Sequence, residues 1–144
     1  MRSMDEGREW SLEALNQIGE GLLPGLLGIE MTSLGDGAVR SRLTLRSEHL
    51  APNGFLHAAV VVAIGDTSCG YGCRISLPAG ATGFTTAELK TNFLSTSTDG
   101  AISCVGRRVH GGRRTQVWDA TVTDEGSGKD LALFRCTQIL FYPR

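Results

Sequence analysis

No stretch of this sequence approaches the roughly 20 consecutive apolar residues that a membrane-crossing helix needs. The opening residues, MRSMDEGREW, carry acids and lack the apolar run of a secretory leader, so the expected compartment is the cytoplasm and no membrane partner is expected. Neither sign of charge is in excess. Fourteen Lys and Arg stand against 15 Asp and Glu, a formal net charge of −1, which excludes a globally basic nucleic-acid binder and makes any basic site local. CxxC spacing is also missing: Cys69, Cys73, Cys104 and Cys136 are the only cysteines, and a reducing compartment keeps them as thiols. Cys69 and Cys73 fall one helical turn apart in an apolar segment, a packing pattern rather than a ligand pattern. The histidines, His49, His57 and His110, are scattered, so no metal site is expected. Linkers, repeats and low-complexity tracts are absent, and 144 residues suffice for one globular domain with a real core.

What is present is a clear change of hydrophobic period along the chain. Trp10, Leu12, Leu15 and Ile18 recur at helical intervals before Gly19, Gly21 and Pro24, which predicts a short lead-in helix over about 10–21. From Gly28 to Leu45 the pattern alternates, with Val39, Leu43 and Leu45 on one side, Arg40, Arg42, Thr44 and Arg46 on the other, and Gly35-Asp36-Gly37 between two runs. That is a hairpin. Residues 57–73, HAAVVVAIGDTSCGYGC, are apolar around the whole helical circumference apart from one charge, Asp66. This is too long for an ordinary strand, and Ala58, Ala59, Ala63, Gly65 and Gly70 suit close packing, so the segment is expected as a helix buried on all sides. Four strand-like runs follow, Thr85–Leu94, Ala101–His110, Thr115–Asp124 and Leu131–Tyr142, separated by short turn signals at Asp99-Gly100, Gly111-Gly112 and Gly126-Ser127-Gly128. Short turns imply antiparallel neighbours. The expected class is α+β, an antiparallel sheet wrapped around a long central helix.

The segment NGFLHAAVVVAIGD resembles the signature of the hotdog-fold thioesterases of the phenylacetate-degradation type, in which a loop reads N…G…HGG and an acid follows nine residues after the histidine. Here those positions are His57 and Asp66. The likeness continues through ELKTNFL (Glu88–Leu94) and VHGGRRTQVWDATV (Val109–Val122), and the order of elements agrees. Three positions depart from the pattern. The Gly-Gly after the histidine is Ala58-Ala59, the Asn or Gln six residues before it is Ala51 with Asn53 two places on, and a Ser or Thr one turn after the acid is Gly70. The resemblance implies hydrolysis of an aryl or medium-chain acyl-CoA, with coenzyme A as part of the substrate and no separate cofactor.

Asp66 is the sharpest chemical signal, because a carboxylate with Ala59, Val62, Ala63, Cys69, Gly70 and Cys73 at helical spacings is costly unless it is used or paired. It would activate water or attack the thioester itself. His57 lies nine residues away, about 13.5 Å of rise on one helix, too far to share a substrate within one subunit. The resemblance implies two such helices side by side across a two-fold axis, hence a homodimer at least and a homotetramer as the expected assembly, with His57 and Asp66 of one site supplied by different chains. The free N–H groups at the helix start, Ala58 first, could then bind the thioester carbonyl as an oxyanion hole. His57 would shape that turn; the plainer reading is a loop histidine packed on the sheet. Asn53 and Gly54 belong to the same loop. Thr86, or else Thr85, resembles the family hydroxyl that helps hold the water, and either could equally be an ordinary strand threonine. In GRRVHGGRRT, Arg107, Arg108, Arg113 and Arg114 flank a Gly-Gly turn. His110, Gly111, Gly112, Arg113 and Arg114 are therefore candidates for the nucleotide phosphates, against the alternative of a solvated hairpin tip. Two other functions compete: a hotdog hydratase or dehydratase, which would bring a histidine and an acid to the same carbons, and a non-catalytic acyl-CoA binder.

Overall fold

The computed structural model describes residues 9–144; the first eight residues, on which the expectation of a leaderless start largely rests, lie outside them. The chain forms helix α1 (Leu12–Ile18), helix α2 (Leu23–Leu27), strands β1 (Glu30–Gly35) and β2 (Ala38–Thr44), a 3₁₀ turn at Ser47–His49, helix α3 (Ala58–Ile75), and strands β3 (Gly83–Phe93), β4 (Ala101–Gly111), β5 (Thr115–Asp124) and β6 (Asp130–Phe141). The lead-in segment is not one helix over 10–21. Ser11 caps α1 by accepting the Ala14 N–H, and the chain turns at Gly19–Gly21 before a second helical turn begins. Pro24 belongs to the first turn of α2, where the N–H it lacks would have no partner, and Gly28 ends α2 at φ 84°, a left-handed conformation that suits glycine.

The six strands form one antiparallel sheet in the order β1-β2-β4-β5-β6-β3. Between β2 and β3 the chain crosses from one side of the sheet to its far edge, and α3 makes that crossing, touching all six strands. Alternation sets the inner face: Val39, Ser41 and Leu43 of β2, Ile102 and Cys104 of β4, Gln116, Trp118, Ala120 and Val122 of β5, and Phe134, Cys136, Gln138 and Leu140 of β6 are all buried. Each aliphatic side chain of this size contributes about 1.5–3 kcal/mol on burial. Ser41 is the polar exception in β2, satisfied by a 2.6 Å hydrogen bond to Ser68 of α3.

Glycine lets the helix lie close to this face. A Cβ on Gly72 would stand 2.5 Å from Cη2 of the fully buried Trp118, and one on Gly65 would stand 3.1 Å from the Phe134 ring. The expectation of a helix buried on all sides is corrected, however. Val60, Val61, Ile64, Ser68, Cys69 and Cys73 are buried, but Ala59 is exposed and Val62, Ala63 and Asp66 are only half-buried. These four lie on one helical stripe, toward β3. The reason is that β3 is an edge strand: among the described residues no strand lies beyond it, and Leu89 and Phe93, opposite the buried Cys136 and Ala132 on the inner face, stay 39% and 50% exposed. The six described strands cover only part of the helix circumference. Among the described residues no helix is long and apolar enough to cross a membrane.

Candidate active site

The candidate residues fall into three places. The first is the middle of α3. Asp66 projects from the half-open stripe, and its Oδ1 accepts a 2.9 Å hydrogen bond from the Thr86 hydroxyl. A bulge in β3 beside Thr86, where the pairing skips from Thr86–Gln138 to Glu88–Thr137, sets this contact. Thr86 is thereby half-buried on the inner face, while Thr85, one residue away, is exposed. Among the described residues Asp66 Oδ2 has no hydrogen-bond partner, which leaves one carboxylate oxygen for an incoming group.

The thiols near Asp66 are not alternative nucleophiles. Cys69 is pushed well above the usual thiol range by a hydrogen bond with Cys136 and by burial, and burial raises Cys73 to about 12 and Cys104 to about 11. All four cysteines are free and buried. A thiol held protonated and out of solvent attacks nothing at neutral pH. Among the described residues no three His, Cys, Asp or Glu side chains cluster to hold a metal.

The second place is the start of α3. His57 is the N-cap, with extended backbone at φ −65° and ψ 131°, and its Nδ1 accepts the Ala59 N–H at 2.9 Å. An accepting Nδ1 places the ring proton on Nε2, so His57 offers a donor at its far side. The Val60 N–H bonds the His57 carbonyl at 3.0 Å, whereas among the described residues the Ala58 N–H meets no acceptor. Fully buried His49 braces this cap. Its carbonyl accepts the His57 N–H at 2.9 Å, its Nε2 bonds the Leu27 carbonyl at 2.9 Å, and its Nδ1 accepts the Arg46 N–H at 3.0 Å. Beside the cap lies an open groove of about 640 Å³ lined by Ala51, Asn53, Phe55, His57, Ala58 and Phe93, among others. Asn53 Oδ1 closes a turn by accepting the Phe55 N–H at 3.1 Å, and Gly54 takes the tip of that loop at φ 87°. The structure thus gathers His57, Ala58 and Asn53 at one groove, with Gly54 beside it, but does not bring Asp66 to that groove within one chain.

The third place is the β4–β5 hairpin. Gly111, Gly112 and Arg113 line a shallow groove with Pro78, Ala79, Gly80, Tyr142 and Pro143. The Arg113 guanidinium lies over the Tyr142 ring at 5.7 Å, and the Tyr142 hydroxyl donates to the Arg113 carbonyl. The arginines do not act as one cluster: Arg108 is tied to Asp36 at 3.1 Å, while Arg107, Arg113 and Arg114 are exposed. His110 is exposed and close enough that a Cβ on Gly112 would stand 2.9 Å from its Nε2. Sequence reasoning missed Pro78–Gly80 and Tyr142 here; a Pro-x-Gly run signals a loop, not which hairpin the loop meets.

An antiparallel sheet crossed by one long helix, with a carboxylate at mid-helix and an open N–H at its start, defines a hotdog fold carrying groups suited to carbonyl chemistry. The sequence profile of the thioesterase superfamily matches residues 53–130. The 1,4-dihydroxy-2-naphthoyl-CoA hydrolase of Escherichia coli is 34% identical over 122 residues, covering 82% of this chain and 86% of that protein. The proofreading thioesterase EntH of Cronobacter turicensis is 29% identical, covering 82% and 85%. Among solved structures, a thioesterase of Haemophilus influenzae superposes with a TM-score of 0.86 at 24% identity, covering 94% of this chain and 93% of that one. The PaaI protein of Escherichia coli, from a phenylacetic acid degradation operon, gives 0.72 at 21%, covering 81% and 86%. The chain belongs to the thioesterase superfamily. It is a thioester hydrolase.

Proposed function

We propose that the chain hydrolyses an aryl-CoA or medium-chain acyl-CoA to the free acid and coenzyme A, with Asp66 as the reacting carboxylate and the start of α3 as the oxyanion hole. The observation that carries this is the placement of Asp66: a lone carboxylate on the half-open face of the central helix, one oxygen held by Thr86 and the other uncommitted. Asp66 either takes a proton from the attacking water or attacks the carbonyl carbon itself. In both cases negative charge develops on the carbonyl oxygen as the thioester carbon becomes tetrahedral, and the C–S bond then breaks to release the thiol. The Ala58 N–H is aimed outward along the helix axis to meet that oxygen, and the His57 Nε2–H would be a second donor at the same end of the helix.

Asp66 and Ala58 lie eight residues apart on one helix, about 12 Å of rise, so one chain alone does not present both to one carbonyl. The half-open stripe of α3 and the unpaired edge of β3 lie side by side, and a second copy placed there by a two-fold axis would cover both and set one helix start against the other's middle. The working unit on this reading is a homodimer with two composite sites, itself paired into a homotetramer. Phosphates of the coenzyme would meet the exposed Arg113 and Arg114 and the backbone of Gly111 and Gly112, with His110 at the rim. Asn53 and Gly54 would border the acyl groove.

Thiol release from a panel of acyl-CoAs tests the reading. Asp66→Asn should lower kcat by about 10²–10⁴-fold. Ala58→Pro is the cleaner probe of the oxyanion hole, because proline fits the first helical position and the extended backbone of His57, yet removes the N–H. It should cost about 10²–10³-fold. Mixed dimers of the two variants should recover activity by assembling one intact site; mixed dimers as inactive as their parents would overturn the shared site.

A further inference from the structure

The sheet carries a row of polar side chains of which the proposed reaction uses only Thr86. Gln116 of β5, Gln138 of β6 and Thr86 of β3 are direct cross-strand neighbours on the inner face, and both glutamines are essentially without solvent exposure. Gln116 is fully engaged: its Oε1 accepts from the Trp118 indole at 2.7 Å, and its Nε2 donates to the Ser76 carbonyl at 3.0 Å. Gln138 is different. In the structure its Oε1 is 3.1 Å from the Thr86 hydroxyl, which donates to it, and its Nε2 is 3.3 Å from the Cys136 sulfur, to which it donates; an amide's O and N ends are close to interchangeable in shape.

The Thr86 hydroxyl has one proton and two neighbours within reach, Asp66 Oδ1 at 2.9 Å and the Gln138 amide at 3.1 Å. With the amide carbonyl toward Thr86, two acceptors compete for that proton. Turned by 180°, the amide donates its N–H to Thr86 Oγ1, and the carboxylate is the sole acceptor of the Thr86 proton. The turn costs little at the far end, since a thiol can donate to a carbonyl as well as accept from an N–H. An ionised carboxylate is the stronger acceptor, which selects the second arrangement.

Resting on the catalytic reading of Asp66, we propose that Gln138 is a positioning residue: its buried amide donates to Thr86 and so commits the Thr86 hydroxyl proton to Asp66 Oδ1, leaving Oδ2 turned toward the substrate. Gln138 does not touch the reacting atoms. It acts through Thr86, and its position directly across the ladder, next to the bulge that aims Thr86 at the helix, keeps the three groups in line.

The test is a set of kcat and KM measurements on Gln138→Met, Thr86→Val, Thr86→Ser and the two double variants, with Asp66→Asn as reference. Gln138→Met should lower kcat on the order of tenfold at unchanged KM, as expected from one lost orienting hydrogen bond. In the Thr86→Val background the same change should alter kcat by less than about twofold, because the relay is already broken. In the Thr86→Ser background, where the hydroxyl remains, the tenfold loss should return. Gln138→Asn, polar but too short to reach Thr86, should repeat the kcat loss if the Met variant folds poorly. An equal loss in the Val and parent backgrounds would mark a merely structural role and overturn the proposal, as would an unchanged kcat in the parent. Undiminished turnover in Asp66→Asn would instead bring down the catalytic reading itself, a separate outcome visible without any change at Gln138.

Discussion

The two sides of α3 are built on opposite terms. Toward the sheet, Ile64, Cys69 and Cys73 are fully buried and Gly72 lies against Trp118 with no room for a methyl group. Toward the β3 edge, Ala59 is exposed, Val62, Ala63 and Asp66 are half-covered, and among the described residues the helix start leaves the Ala58 N–H without an acceptor. The packed side has its polar atoms paired inside the chain, as in the Ser41–Ser68 hydroxyl pair. The open side has polar atoms with capacity left over. On the proposed reading, stability is drawn from one side and chemistry from the other, so changes on the two sides should separate in what they damage.

The largest expected effects make that separation directly. Asp66→Asn should lose about 10²–10⁴-fold in kcat while its thermal midpoint stays within a few degrees of the parent, because a half-exposed side chain of the same shape is replaced. Trp118→Ala should do the reverse in kind, costing about 3–5 kcal/mol of stability through the cavity left between helix and sheet. Chemical denaturation and steady-state kinetics on both variants check this. If Asp66→Asn unfolds the protein as readily as Trp118→Ala, the open side is structural and the contrast fails.

A smaller and sharper version uses two glycines two residues apart. Gly72→Ala would bring a Cβ within 2.5 Å of Trp118 Cη2, and the indole cannot swing away without breaking its 2.7 Å bond to Gln116, so overpacking of about 1–3 kcal/mol should outweigh the roughly 1 kcal/mol gained in helix propensity. Gly70→Ala would meet Phe84 at 3.5 Å, an ordinary contact, and should keep most of that propensity gain. Opposite signs in the denaturation midpoints are expected. Two shifts of the same sign would mean that the sheet side of the helix is more yielding than its geometry indicates.

These distinctions mark where the sequence could and could not be read. Strand β5 has the bounds that its flanking Gly-Gly and Gly-Ser-Gly turns predict, and α3 departs by a residue or two, because local period and turn chemistry specify both. Helix α2 was invisible: five residues carry no periodicity, and Pro24 looks like a stop until its place in a first turn is known. Apolar residues all round α3 implied full burial, yet hydrophobicity does not say whether the cover comes from the same chain or from another. At the candidate site, the spacing of His57 and Asp66 along one helix was legible. The contact of Thr86 with Asp66 depends on a bulge 20 residues away, and the place of Gln138 behind Thr86 on a register 52 residues away, neither of which any local pattern encodes.

The smallest effect belongs at the open end of α3, where His57 caps the helix and, on the proposed reading, also serves the carbonyl, two duties that substitution can pull apart. Its Nδ1 caps the Ala59 N–H at 2.9 Å, a role that Asn fills well and Ala cannot. His57→Ala should therefore cost about 1 kcal/mol in chemical denaturation, and His57→Asn should recover most of it. Turnover should not follow the same order on the proposed reading, because Ala carries no donor and Asn, with its Oδ1 taken up in the cap, does not extend one as far as the His57 Nε2–H. A variant that regains stability but not kcat assigns the histidine to the carbonyl as well as to the cap. If His57→Asn restores both, the ring serves only to start the helix, and the oxyanion hole consists of backbone alone.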